Sequence, residues 1–180
     1  MGGVDKALLA FGRATLLDQI LDRFQPQVAQ LALSANGDAA RFARWQLPVL
    51  PDAGPSFGPL SGVLAGLDWA AALGATELVT VPVDAPFLPQ DLVPRLIRAG
   101  EAAPGAPVIA RSASGLHPTF ALWPVRLAPA LRAFLDSGAA PRLRDFAAGS
   151  GAVMADFPSD AEFANLNTPD DLARAARDAP

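Results

Sequence analysis

Glu77-Leu78-Val79-Thr80-Val81-Pro82-Val83-Asp84-Ala85-Pro86-Phe87 is the stretch on which the fold turns. Glu77 to Val83 is an apolar, β-branched run. That is the pattern of a strand buried on both faces, as in a sheet covered by helices on either side. The run ends in a carboxylate, Asp84, with Pro82 and Pro86 stiffening the backbone around it. Just before it, Leu60 to Leu73 reads as a helix, since Pro59 suits a first helical turn and Gly74 a C-terminal stop. A helix that leads directly into a buried strand is the unit of an α/β domain.

The same alternation extends in both directions. Towards the N-terminus, Leu16, Leu17, Ile20, Leu21 and Phe24 predict a helix over 15–24. Strands are expected at 28–34 and 47–50, with a short helix capped by Asp38 between them, and 51–59 is a Pro/Gly-rich loop. Towards the C-terminus, helices are expected at 91–99, 125–137 and 142–148, and strands at 107–111, 119–123 and 152–157. Thr168-Pro169-Asp170-Asp171 reads as a capped helix start, with acids in the first turn. There is no internal repeat or linker, so residues 1–180 form one three-layer α/β domain with a parallel or mixed sheet. In such sheets ligands sit outside the carboxyl ends of the strands.

Composition narrows the function. Apolar residues make up 51% of the chain, which excludes a disordered protein, and no apolar run of membrane-spanning length is free of charge, Pro or Gly. There is no cysteine, hence no disulfide, thiolate metal site or cysteine nucleophile. With no secretory signal visible, a cytoplasmic protein is expected. The net charge of −4 and the lack of a basic cluster argue against nucleic acid as a partner. A small anion held by one or two cations and a divalent metal remains compatible with that charge. His117 is the single histidine, so two-His metal sites are excluded.

Residues that follow strands carry the chemistry. Asp84 is placed to hold Mg²⁺, which takes oxygen ligands and keeps positions for substrate phosphates, although an aspartate before a proline turn is also common. Asn36 in Ser34-Ala35-Asn36-Gly37 could bond a base or ribose, or could belong to an Asn-Gly turn. Asp52 in Leu50-Pro51-Asp52 could meet a ribose hydroxyl or be solvated. Gly58-Pro59-Leu60-Ser61-Gly62 opens a helix whose N-terminus favours anions, or is a capping turn. His117-Pro118-Thr119 offers a donor. Asn165 and Asn167 lie on one face of Asn-Leu-Asn-Thr-Pro. Lys6, in Met1-Gly2-Gly3-Val4-Asp5-Lys6, is the only lysine, and a point charge beside a Gly-rich turn is a common way to hold phosphate.

In this order, Met-Gly-Gly-Val-Asp-Lys (1–6), Ser-Ala-Asn (34–36), Leu-Pro-Asp (50–52), Gly-Pro-Leu-Ser-Gly (58–62), Pro-Val-Asp-Ala-Pro-Phe (82–87), His-Pro-Thr (117–119) and Asn-Leu-Asn-Thr-Pro (165–169) resemble the molybdenum cofactor guanylyltransferase (MobA) family. The resemblance implies a Rossmann-like nucleotidyltransferase fold with a mostly parallel sheet. It implies GTP binding by Lys6, Asn36, Asp52 and Asp84, with Lys6 and Asp84 catalytic and Asp84 also holding Mg²⁺. It implies molybdopterin binding by Asn165 and Asn167, and transfer of GMP from GTP to the pterin phosphate with release of pyrophosphate. Other cofactor-biosynthesis proteins and acceptor molybdoenzymes are the protein partners it suggests. The family opens with a strand and a Leu-Ala-Gly-Gly loop ahead of Met-Gly-Gly. The sequence begins at that methionine, so a sheet without its first strand is expected. A cytidylyltransferase acting on the same pterin is the neighbouring alternative. A non-catalytic pterin- or nucleotide-binding module is another, and a hydrolase using His117 is more distant, because no Gly-x-Ser-x-Gly elbow accompanies it.

Overall fold

A computed structural model describes residues 5–52, 57–137 and 142–178. The strands are β1 (Ala10–Phe11), β2 (Ala14–Thr15), β3 (Leu33–Ser34), β4 (Val49–Leu50), β5 (Glu77–Thr80), β6 (Val108–Ser112), β7 (Gly115–Pro124) and β8 (Val153–Asp156). The α-helices are α1 (Leu16–Phe24), α2 (Pro59–Ala72), α3 (Leu92–Gly100), α4 (Ala128–Asp136), α5 (Leu143–Gly149) and α6 (Pro169–Asp178). Helix α1 starts at a capping box in which the Thr15 hydroxyl accepts from the Asp18 amide and the Asp18 carboxylate accepts from the Thr15 amide. Residues 38–45 form a 3₁₀ helix, Ala39–Trp45, rather than an α-helix, with Asp38 as its cap.

The main sheet has the order β5-β7-β6-β8, and β3 and β4 form a separate parallel pair. The four-stranded sheet is mixed rather than mostly parallel, because β7 runs antiparallel to both β5 and β6 while β8 is parallel to β6. The reason is local: only Ala113 and Ser114 separate β6 from β7, and a two-residue connection joins antiparallel strands. Strand β7 is longer than the expected 119–123. Pro118 falls at a register shift, where Ala110 faces His117 but Ile109 faces Ala121, so the missing N–H costs no ladder bond.

Four expected strands are shorter in the structure, the one at 152–157 by a residue at each end. The run at Glu77–Val83 is a strand only to Thr80, before Pro82, which has no N–H to donate. Strand 28–34 contracts to Leu33–Ser34, and 47–50 to Val49–Leu50. Leu33 N donates to Pro48 O and Ala35 N to Leu50 O, but the next rung outward would need an N–H at Pro48.

Alternation along β6 and β7 divides the core into two layers. Val108, Ala110, Phe120 and Leu122 face α1 and α3 through Ile20, Phe24, Leu92 and Leu96. Ile109, Ala121 and Trp123 face α2, α4 and α5 through Leu64, Leu67, Leu131 and Phe146. The three-layer expectation is therefore met. Trp123 is fully buried, and its Nε1 donates to Thr80 Oγ1 at 3.0 Å, which in turn donates to Thr119 O at 3.1 Å. Trp123→Phe keeps most of the apolar volume but removes one donor. It should lower unfolding stability by about 1–2 kcal/mol, read from the urea midpoint at unchanged slope.

A cavity of about 1040 Å³ separates the two sheets. Leu33 and Ser34 of β3, Leu78 and Val79 of β5, and Gly62 and Gly66 of α2 line it. Among the described residues β3 is hydrogen-bonded only to β4 and β5 only to β7, so each turns an open edge towards the cavity. Helix α2 spans both sheets because it carries no side chain where it approaches them. A Cβ on Gly62 would lie 2.7 Å from Ser34 Oγ, and one on Gly66 2.8 Å from Leu78 Cδ2. No helix among the described residues is long and apolar enough to cross a membrane.

Candidate active site

Three segments distant in sequence meet at Lys6. It starts a 3₁₀ turn, Lys6–Leu8, whose Ala7 amide is capped by Asp5 Oδ1 at 3.1 Å. Lys6 Nζ donates to Asp84 Oδ2 and to Asn167 Oδ1, both at 2.8 Å. Asp84 lies in the turn after β5, anchored by the buried Ala85, Pro86 and Leu88 that follow it. Leu166 N donates to Asp84 O at 2.7 Å, which fixes the Asn165–Asn167 segment against that turn. Leu166 itself is buried with Phe11, Leu16 and Leu172, so the flanking Asn165 and Asn167 side chains are left exposed. Thr168 Oγ1 accepts from the Asp171 amide at 3.1 Å, as expected of a capped α6. Of Asn165 and Asn167, only Asn167 is hydrogen-bonded to Lys6.

A second group forms beside the first. The parallel register sets Leu33 opposite Val49 and Ser34 opposite Leu50, so the residues two positions on, Asn36 and Asp52, also lie side by side. Asn36 Nδ2 donates to Asp52 Oδ2, and Asp52 N donates to Asn36 Oδ1, both at 2.9 Å. Both residues lie on the rim of the inter-sheet cavity, as does Asp5, whereas Lys6 and Asp84 lie outside its lining. Arg41, which the sequence reading did not single out, links the two groups. Its Nε donates to Asp5 Oδ2 at 3.0 Å and its NH2 to Asn36 O at 2.6 Å. One arginine among thirteen carries no sequence signal of such a role, since the linkage depends on the packing of the 3₁₀ helix.

The remaining motifs have structural duties. In Gly58-Pro59-Leu60-Ser61-Gly62, Ser61 is buried and its hydroxyl accepts from Phe57 N at 2.8 Å, closing the turn into α2. His117 Nε2 lies 2.7 Å from Ser112 Oγ, and its ring stacks on Phe163 with centroids 4.3 Å apart. Asp160 bonds the serine side of this cluster, accepting from Ser114 N at 2.8 Å, rather than orienting the imidazole. That is the wrong order for a Ser-His-Asp relay, in which the acid holds the histidine. The hydroxyl of Ser112, with the Ser114 amide, holds the Asp160 carboxyl below the usual carboxylate range. Burial pushes the His117 imidazole below its ordinary value, against a smaller opposing pull from Asp160.

A depressed imidazole means that the folded protein takes up its proton later than the unfolded chain does. The stability contributed by neutral His117 is therefore present above about pH 6.5 and is lost as pH falls through the lower folded value. His117→Gln should flatten that part of the profile. Urea midpoints of the two proteins between pH 7.5 and pH 5, in steps of about half a unit, should converge as pH falls.

The described residues contain no group of three His, Cys, Asp or Glu side chains able to surround a metal. Asp84 by itself still matches the donor set that Mg²⁺ takes in phosphate sites, where one or two carboxylates suffice and substrate oxygens complete the shell.

Residues 1–152 match the model of the MobA-like NTP transferase domain. The molybdenum cofactor guanylyltransferase of Cereibacter sphaeroides is 55% identical over 175 residues, covering 97% of this chain and 88% of the relative. The enzyme of the same name from Mesorhizobium japonicum is 50% identical, covering 98% and 88%. The Archaeoglobus fulgidus molybdopterin-guanine dinucleotide biosynthesis protein A superposes with a TM-score of 0.74 at 20% identity, over 97% of this chain and 90% of that one. The 2-C-methyl-D-erythritol 4-phosphate cytidylyltransferase of Thermus thermophilus does so with a TM-score of 0.70 at 18% identity, over 97% and 93%. The last two show the fold alone: an α/β nucleotidyltransferase fold shared by proteins named for different nucleotides. From the family match and these identities, the chain belongs to the MobA-like NTP transferase domain family.

Proposed function

We propose that the protein transfers GMP from GTP to the terminal phosphate of molybdopterin, giving the guanine dinucleotide form of the molybdenum cofactor and pyrophosphate. The observation that carries the reading is the meeting of Lys6, Asp84 and Asn167 through one ammonium. A cation at the junction of three segments suits a reaction in which two phosphorylated substrates must be brought together. The guanine assignment rests on relatives that are 50–55% identical and named guanylyltransferases. The fold alone does not choose the base.

In this reading a phosphate oxygen of molybdopterin attacks the α-phosphorus of GTP in line. The new P–O bond forms as the bond to the β-phosphate bridging oxygen breaks, and pyrophosphate leaves with that electron pair. No protein nucleophile is required. Lys6 Nζ exchanges its contact with Asp84 for phosphate oxygens and balances the charge that develops on them. Asp84, so released, would hold Mg²⁺, and the ion when bound would supply further charge neutralisation to the phosphates. Asn36 and Asp52 face the base and ribose, Asn165 and Asn167 the pterin. The reaction belongs in the cytoplasm, and acceptor molybdoenzymes and other cofactor-biosynthesis proteins receive the product.

The same reading assigns an occupant to the inter-sheet cavity. The open edges of β3 and β5 and the apolar lining suit one more strand. In this family that strand leads into a Leu-Ala-Gly-Gly loop, which would face Lys6 across the phosphates. The single domain would then include the strand. Sequencing the native N-terminus and the codons ahead of Met1 tests this. An in-frame strand ending in Leu-Ala-Gly-Gly is expected, and a native chain starting at Met1 would refute it.

Pyrophosphate release by the native gene product, with molybdopterin and Mg²⁺, tests the function itself. Release with GTP well above that with CTP is expected. Preference for CTP would make the protein a cytidylyltransferase, and binding without release would make it a non-catalytic module.

A further inference from the structure

We infer that Arg41 is the positioning residue that joins the two halves of the nucleotide site, setting the distance from Lys6 to the Asn36–Asp52 pair. This rests on the guanylyltransferase reading above. Arg41 belongs to the 3₁₀ helix Ala39–Trp45, and its side chain is three-quarters buried, at 26% exposure. Its guanidinium reaches three acceptors. Nε and NH2 each approach Asp5 Oδ2 at 3.0 Å, NH2 donates to Asn36 O at 2.6 Å, and NH1 donates to Asp38 O.

Two of these contacts, to Asp5 and to Asn36, lead to residues with a proposed role. The other oxygen of Asp5 caps the turn that begins with Lys6. Asn36, held by its carbonyl, is left free to spend its side chain on Asp52. The turn between them opens around the guanidinium: Gly37 has φ 82°, and a Cβ there would lie 3.6 Å from Arg41 NH1. One planar group thus braces the segment before Lys6 and the segment bearing Asn36. A lysine ammonium could not reproduce this fork, because its three donors radiate from one atom instead of spreading over a plane that reaches both segments.

Lys6 is assigned to the phosphates and Asn36 with Asp52 to the base and ribose, so the brace fixes the span a nucleoside triphosphate must bridge. A span held before the ligand arrives reduces the ordering cost of binding. Arg41 itself touches none of the reacting atoms in this scheme. Its loss should therefore appear in nucleotide affinity rather than in the chemical step.

Arg41→Ala and Arg41→Lys in the native gene product test this. In Arg41→Ala the KM for GTP should rise roughly tenfold, with kcat changed by less than about threefold, and Arg41→Lys should recover only part of the loss. A KM within about twofold of the parent would overturn the proposal. So would a fall in thermal midpoint with KM unchanged, which is the mark of a merely stabilising residue. A second readout needs no turnover. In the nucleotide-free protein, the NMR signals of the Asn36 side-chain amide and the Asp52 backbone amide should shift and broaden in Arg41→Ala. Unchanged signals would overturn the brace. If those signals move but the parent protein releases no pyrophosphate from GTP, the guanylyltransferase reading fails while the brace stands.

Discussion

Asp84→Ala should lower turnover by about a thousandfold or more while leaving the protein folded. A bound divalent cation contributes several kcal/mol of charge stabilisation at a reacting phosphate, and about 1.4 kcal/mol corresponds to each factor of ten. The carboxylate that would hold that cation is the only acidic side chain bonded to Lys6 among the described residues. The fold should tolerate the change because what fixes this turn is not the carboxylate. Ala85 and Leu88 are fully buried beneath it, and the bond to Leu166 N uses the Asp84 backbone oxygen, which alanine retains. The broken ion pair is partly open to solvent, with Lys6 at 37% and Asp84 at 16% side-chain exposure, so its loss costs little stability. Lys6 also keeps its second partner, Asn167. Pyrophosphate release and a thermal melt on the same preparation decide the matter. Near-normal turnover would refute the assignment of Asp84. A collapse of the melt would mean that the carboxylate stabilises the turn.

The reach of the sequence is clearest by comparing Asp84 with Arg41. Asp84 was legible because its position follows from two local facts, an apolar run and the residue at which it stops. Even there the strand proved shorter than the run, since Pro82 ends the ladder before the apolar pattern ends. Asn36 and Asp52 were legible singly by the same logic. Their pairing was not, because it depends on the register of β3 against β4, and a register is a relation between strands that neither strand displays alone. Arg41 lies beyond both kinds of reasoning: its three acceptors come from residues 5, 36 and 38, and only the folded helix brings its guanidinium among them. The layers of the fold were legible from alternation and helix periodicity. That alternation left the sheet parallel or mixed, and what makes it mixed is a two-residue turn between β6 and β7 that composition does not announce.

Lys6→Met should lower kcat/KM for GTP by about a hundredfold to a thousandfold, the range seen when one preorganised donor to a developing oxyanion is removed. Methionine keeps the unbranched length and the apolar stem, so the turn capped by Asp5 should persist. Lys6→Arg should fail to restore activity even though it restores the charge. One Nζ stands 2.8 Å from both Asp84 Oδ2 and Asn167 Oδ1, a convergence that suits a single atom with three donors. A guanidinium spreads its donors over a plane and would have to push those two acceptors apart. Arginine activity close to that of the parent would show that charge alone matters at this position. The pairing of Lys6 with Asp84 adds a test that neither single variant provides. If the ammonium and the carboxylate serve one transition state, removing both should cost much less than the product of the two separate losses. If they act on unrelated steps, the losses should multiply. The double variant therefore measures whether the Lys6–Asp84 ion pair is one functional unit or two neighbours resting against each other.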